Sequence, residues 1–295
     1  MKIQNKIVLI TGGASGIGRI MGEIALKKGA SALVIWDINQ ANIDATISEL
    51  RALRYADGFC INKSDWETTI LRKPLGKVAG YRVDVSNYDT VAESYAQVKR
   101  EVGDVDILIN CAGIITNNKT FDQCSAEDMD RTIKVNTLAP MYVAKQVLPD
   151  MIARNSGHIC NIASAGGMLP NPKMSIYSAS KWGTIGWSDS VRIELKEMKS
   201  QVRVTTIAPY FITTGMFDGV KSKVFPLLKP QEVAERIIGA IEGNKKMLML
   251  MKWIPLPHHF IRLLQAVLPM NVFDWLMSDV LGIYHAMDNF TGRKS

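Results

Sequence analysis

The chain has 295 residues, enough for one large α/β domain or two small ones. Hydrophobic residues make up 47% and charged residues 21%, a balance that builds a packed core and excludes a disordered or fibrous chain. The net charge of +7 comes from basic residues spread along the chain with no arginine-rich block, so a mildly basic enzyme is expected and no nucleic-acid partner.

Residues 6–10 (KIVLI) read as a buried parallel strand ended by glycines. Helical spacing follows over 18–28, a strand over 32–36 and a helix over 40–53. Residues 55–79 form a polar, mixed insertion. Beyond it the pattern predicts a strand at 81–83, a helix at 91–102 and a strand at 105–109. A helical region over 125–154 contains Pro140 and Pro149, which mark ends or irregularities. A strand at 158–162, a long helix at 175–199 and a strand at 202–207 complete the alternation. Strand–helix alternation of this kind predicts a single Rossmann-type, doubly wound parallel sheet with helices on both faces. Its ligand edge lies along the strand C-termini. The domain is expected over 1–246, with an apolar helical extension over 247–295 as part of it.

Cys60, Cys111, Cys124 and Cys160 make no C-x-x-C pair, and read as reduced thiols rather than a disulfide frame or zinc site. The first strand begins too early for a signal peptide, and no apolar run is long enough to span a bilayer. A cytoplasmic protein, with membrane contact at most peripheral, is the expectation.

After the first strand comes Thr11-Gly12-Gly13-Ala14-Ser15-Gly16-Ile17-Gly18, spaced G-x-x-x-G-x-G. Small residues let the backbone approach a pyrophosphate, and the following helix offers free N–H groups and the positive end of its dipole. Glycines also make ordinary turns, so the placement between strand and helix is what gives the motif meaning. Asp37 ends the second strand, where a carboxylate accepts ribose hydroxyls and repels a 2′-phosphate. Ser15 and Ile38 are not basic, which favours NAD over NADP, with Arg19 as the dissenting residue. The alternative for Asp37 is a helix cap or solvated turn.

Thr11–Gly18 together with Asn110-Cys111-Ala112-Gly113 and Tyr177-Ser178-Ala179-Ser180-Lys181 resembles the short-chain dehydrogenase/reductase family, across roughly residues 6–216. The resemblance implies that Gly12, Gly16 and Gly18 form the cofactor turn, with Ser15 and Ile17 lining it. It implies that Asp37 selects the ribose, and that Asp84 and Val85 flank the adenine. Asn110, Ala112 and Gly113 would close the fourth strand against the cofactor. Asn136, Ser164, Tyr177 and Lys181 match the catalytic tetrad. Pro209, Ile212 and Thr214 match the segment beside the nicotinamide. Two departures stand out. Cys111 replaces a common asparagine, and Tyr210 stands where glycine usually follows the proline.

Tyr177 and Lys181, four apart on a helix, share one face. A free tyrosine titrates near about 10, and a neighbouring ammonium together with an oxidised nicotinamide is expected to lower that value. Ser164 can orient the substrate oxygen, and Asn136 can hold a water or carbonyl that relays the proton from Lys181. Taken singly, Y-x-x-x-K is a common surface pattern and Ser164 a loop serine; the combination in one chain is what counts. No Gly-x-Ser-x-Gly surrounds Ser164, and His258 and His259 have no H-E-x-x-H context, so hydrolase and metal readings fall.

The apolar C-terminal part predicts one helix face from Leu263, Leu264, Val267 and Leu268, and another from Phe273, Leu276, Met277 and Val280. Three readings stand open for it: packing on the domain or a second subunit, a lid over a hydrophobic substrate, and peripheral contact with a membrane near Lys245, Lys246, Lys252 and Arg262. Its similarity to family members acting on retinoids, steroids or long-chain lipids implies a lipophilic alcohol or ketone substrate. The resemblance further implies a homodimer or homotetramer. The competing functions are an NADPH-dependent 3-oxoacyl reductase and an NAD-binding sensor or scaffold without turnover.

Overall fold

The computed structural model describes residues 1–53, 55–56, 73–116, 118–223, 225–250 and 258–292. The first half of the sheet is built from β1 (Ile7–Thr11), α1 (Gly16–Lys27), β2 (Ala32–Asp37) and α2 (Gln40–Ala52). A two-residue antiparallel pair, β3 (Tyr55–Ala56) with β4 (Lys73–Pro74), precedes β5 (Lys77–Arg82). Then come α3 (Tyr88–Glu101), β6 (Ile107–Asn110), α4 (Ala126–Ile133) and α5 (Ala139–Ala153). The chain continues through β7 (His158–Ile162), α6 (Ser175–Glu197), β8 (Arg203–Pro209) and α7 (Pro230–Glu242). It closes with β9 (Met247–Leu250), α8 (His258–Val267) and α9 (Met270–Trp275).

Seven strands form one parallel sheet in the order β5-β2-β1-β6-β7-β8-β9. The order reverses direction at β1, and the crevice between β1 and β6 is where such sheets hold ligands. Thr11 at the end of β1 lies in register with Trp36 on β2 and Asn110 on β6, so three loops that carry motifs leave the sheet side by side. One apolar layer joins Met21 and Ala25 of α1, Ile43 of α2 and Ile237 of α7 to the sheet. The other joins Val91 and Tyr95 of α3, Val143 and Val147 of α5 and Leu195 of α6. Strands covered on both faces explain the unbroken apolar runs in the sequence.

Some predicted boundaries move. The third strand of the sheet runs over Lys77–Arg82 rather than 81–83, so its first residues come from the end of the predicted insertion. The 125–154 helical region divides at a π turn, Lys134–Leu138, which sets Asn136 between α4 and α5. Pro140 sits in the first turn of α5, directly after the π turn, while Pro149 lies within the helix. β9 forms an edge strand at the start of the apolar C-terminal segment. Cys60, Lys252 and most of the 55–79 insertion lie outside the described residues.

In the tail, Leu264 and Leu268 pack on the core while Leu263 and Val267 face outward, 56% and 68% exposed. Phe273 and Met277 are buried, but Val280 is exposed. Each expected apolar face is therefore split between core and surface. Among the described residues no helix is long and apolar enough to cross a membrane, and no group of acidic, histidine or cysteine side chains could hold a metal. Cys111 and Cys160 are free thiols.

Candidate active site

The turn after β1 is a cradle made of backbone. Gly12 (φ +64) donates its N–H to Trp36 O at 2.7 Å, which ties the turn to β2. A Cβ on Gly18 would lie 2.2 Å from Gly12 O, so no other residue lets α1 start this close to the turn. Thr11 Oγ1 accepts from the N–H groups of both Cys111 and Ala112 at 3.1 Å, joining this turn to the loop after β6. Thr11 was not singled out from sequence; its place at the strand end is the signal that could have found it. A concave turn of small residues at the N-terminus of α1 fits the pyrophosphate of a dinucleotide.

Gly12, Ser15, Gly16, Ile17, Gly18, Ala112 and Gly113 line one cleft with Ser164, Tyr177, Lys181, Pro209, Ile212 and Thr214. Asp37 stands beside it, accepting from Ala14 N and Asn39 N at 3.2 Å each, so it braces the turn from the β2 side. Arg19, the residue that kept NADP in view, is engaged by Glu49 of α2, its Nε donating at 2.9 Å. Asp84 and Val85 follow β5 at the same edge but outside the cleft lining; Asp84 accepts from Ser86 N at 2.9 Å, and Val85 is buried.

Two residues expected at the cleft are turned into the interior. Asn110 donates to Asn161 Oδ1 at 2.8 Å and ties β6 to β7, so its side chain does not line the cleft. Asn136 accepts from Ile114 N at 2.8 Å and donates to Ile114 O at 2.9 Å and to Ser180 Oγ at 3.1 Å. Its own carbonyl accepts from Thr184 Oγ1 at 2.8 Å. Asn136 thus fastens the loop after β6 onto α6 at Ser180, the residue next to Lys181.

The reacting groups meet where β7 and α6 converge. Ser164 opens a short turn, Ala165–Gly167, and its Oγ accepts from Gly166 N at 3.1 Å. Its own O–H stays free to donate toward Tyr177, a hydrogen bond that pulls the phenol pKa down. Burial acts the other way and dominates, pushing Tyr177 up to about 12. The desolvation of a phenolate outweighs its one hydrogen bond. Lys181 Nζ donates to Ile162 O at 3.0 Å and lies 5.8 Å from the Tyr177 ring centroid. Burial brings the Lys181 ammonium down to about 8.

Away from the glycine turn the cleft becomes apolar. Leu169, Met174, Phe211, Phe217 and Ile283 wall it. The Tyr177 ring meets Phe217 edge-on at 6.0 Å, Phe217 meets Phe211 at 5.1 Å, and Phe211 meets Tyr210 at 4.7 Å. Tyr210, the bulky departure after Pro209, reaches Ser222 Oγ with its hydroxyl at 3.2 Å. Phe211 and Phe217 were missed from sequence because they lie in irregular chain with no periodic pattern. The C-terminal segment contributes Ile283 and is tied down by Asn118 Nδ2 to Met287 O at 2.9 Å and Thr291 N to Asp218 O at 2.9 Å.

Comparison with known proteins agrees with this arrangement. The family model described as short chain dehydrogenase matches residues 6–224. Epidermal retinol dehydrogenase 2 of Mus musculus is 35% identical over 296 residues, covering 99% of this chain and 87% of its own. Estradiol 17-beta-dehydrogenase 11 of Macaca fascicularis is 32% identical over 269 residues, covering 90% and 80%. Among solved structures, a short chain dehydrogenase/reductase from Burkholderia phymatum in complex with NAD shares the fold with a TM-score of 0.74. That structure is 23% identical and covers 90% of this chain and 95% of its own. The chain belongs to the short chain dehydrogenase family and is a nicotinamide-dependent oxidoreductase acting on CH–OH groups.

Proposed function

We propose that the protein is an NAD-dependent dehydrogenase of lipophilic alcohols with Tyr177 as its acid–base. One observation carries the reading: a single cleft has the backbone cradle at one end, Ser164, Tyr177 and Lys181 at its centre, and an apolar wall at the other. The nicotinamide, when bound, supplies the hydride acceptor. Gly12, Ser15, Gly16, Ile17, Gly18, Ala112, Gly113, Pro209, Ile212 and Thr214 would hold the cofactor, with Asp84 and Val85 toward its adenine.

The chain's own residues handle position and protons. The Ser164 O–H orients the substrate oxygen. Tyr177 Oη takes the hydroxyl proton in oxidation and returns it in reduction. The Lys181 charge favours the phenolate, and its lowered pKa lets it exchange a proton near pH 8. Asn136 holds the loop and helix that frame this path, rather than passing the proton through its side chain.

Asp37 supports NAD, since its carboxylate stands at the turn and Arg19 is engaged by Glu49. The names of the relatives, retinol and estradiol dehydrogenases, agree with the apolar wall in favouring a lipophilic alcohol. Association into a homodimer or homotetramer is supported by Trp182 and Ile193, large apolar side chains exposed on α6. Peripheral membrane contact is supported by exposed Leu263, Val267, Met270 and Trp275 in the tail.

The test is calorimetric binding of NAD(H) and NADP(H) to wild type and Asp37→Ala. Tighter NAD(H) binding that the variant loses supports the assignment. Tighter NADP(H) binding by the wild type overturns it in favour of a reductase.

A further inference from the structure

The apolar half of the cleft holds one polar side chain with no task in the reaction. Asn171 lies on the loop between Ser164 and α6 and lines the cleft together with Leu169 and Met174. Its Oδ1 is buried and has no hydrogen-bond partner among the described residues. The other polar side chains there are accounted for. Lys181 donates to Ile162 O at 3.0 Å, and Tyr210 meets Ser222 at 3.2 Å. Ser164 and Tyr177 face the reacting oxygen, and Ser15 and Thr214 belong to the cofactor end, where Thr214 lies against Gly16. An amide oxygen withheld from water and left unpaired is destabilising, so its place in an apolar wall calls for a partner.

We propose that Asn171 is a specificity residue that recognises a second hydroxyl on the substrate, remote from the carbon that is oxidised. This rests on the lipophilic-alcohol reading and narrows it to apolar diols and related two-oxygen substrates. The main-chain carbonyl of Asn171 accepts from Met174 N at 3.2 Å, which turns the loop into α6 and leaves the side chain free to serve the ligand. A one-oxygen alcohol leaves the amide unpaired, whereas a two-oxygen substrate of the right length satisfies it. A site built to bond a hydroxyl discriminates strongly against an analogue that lacks it.

The experiment compares straight-chain 1-alkanols with α,ω-alkanediols of the same length, from eight to about sixteen carbons. Either end of a diol can react, so chain length reads the span between Tyr177 and Asn171. The expected result is a preference in kcat/KM for the diol, roughly tenfold to hundredfold at one best length. Asn171→Leu should remove that preference, so that diol and 1-alkanol of equal length give kcat/KM values within about twofold of each other. Asn171→Ala serves the same purpose where the leucine variant does not fold. Calorimetric binding of both series to the Tyr177→Phe protein gives the same comparison without turnover. Absence of 1-alkanol oxidation with NAD⁺ would count against the function above, while the binding series still decides the role of Asn171. No diol preference at any length in binding, or a preference that survives Asn171→Leu, overturns the proposal.

Discussion

Lys173, four residues before Tyr177, holds a 2.9 Å ion pair with Asp288, which lies 115 positions further along the chain. The Lys173 backbone sits at φ +62, a left-handed conformation that costs a non-glycine residue about 1–3 kcal/mol. Asp288 also accepts from His285 Nδ1 at 3.2 Å, and Lys173 and His285 together hold its carboxyl below the ordinary range. A second tie runs from Gln265 Nε2 to Met168 O at 3.0 Å. The loop that carries Asn171 and Met174 into the cleft is thus fastened to the C-terminal segment at two points. Asp288→Asn should therefore raise KM for a long-chain alcohol several-fold and leave kcat for propan-2-ol unchanged. Thermal unfolding should move little, because an exposed pair contributes little to stability. Equal changes for both alcohols would remove the tail from substrate binding.

Lys181 sets activity against stability. Its folded pKa is about 8, below the roughly 10.4 of a free lysine. Between these values the unfolded chain binds a proton that the folded chain does not. Stability from this group therefore rises as pH climbs from 8 to about 10.4, and its full cost is felt below pH 8. That cost is on the order of 3 kcal/mol. Lys181→Met removes it, together with the hydrogen bond to Ile162 O. Denaturant unfolding of both proteins from pH 7 to 10.4 should show the wild type gaining on the variant by that order. Turnover by the variant should fall roughly 10²- to 10⁴-fold. Parallel stability curves would mean that Lys181 titrates normally.

The alternation of strands and helices was legible because strands buried on both faces leave apolar runs. The glycine turn was legible because a close backbone approach admits few residue types, as the 2.2 Å clash at Gly18 makes concrete. Side-chain direction was not legible. Asn110 and Asn136 belong to the expected motifs, yet both spend their amides inside the protein, which only the packing of α5 and α6 against the sheet decides. The burial of Tyr177, which pushes its phenol up, was likewise not legible: a motif names the neighbouring lysine but not the depth at which the ring lies. The aromatic wall of Phe211 and Phe217 had no period to betray it, since loops carry it.

His158 gives the last prediction, at the opposite end of the sheet from the site. It begins β7 and is fully buried, its Nε2 2.8 Å from Thr205 Oγ1 and its Nδ1 without a partner among the described residues. Burial, then the positive N-terminus and Arg203, push its pKa down to about 3 from the ordinary 6.5. Between those values the unfolded chain takes up a proton that the folded chain refuses, so stability falls as pH drops below 6.5. The slope approaches about 1.4 kcal/mol per pH unit, or about 2 kcal/mol lost by pH 5. His158→Phe keeps a ring of similar shape and leaves Thr205 Oγ1 its bond to Lys245 O. Urea unfolding at pH 7 and pH 5 should show the variant losing about 2 kcal/mol less than the wild type across that interval. Activity at pH 7.5 should be the same for both, because Ser164 and Tyr177 lie at the far edge of the sheet. Equal acid losses in the two proteins would assign the sensitivity to other groups.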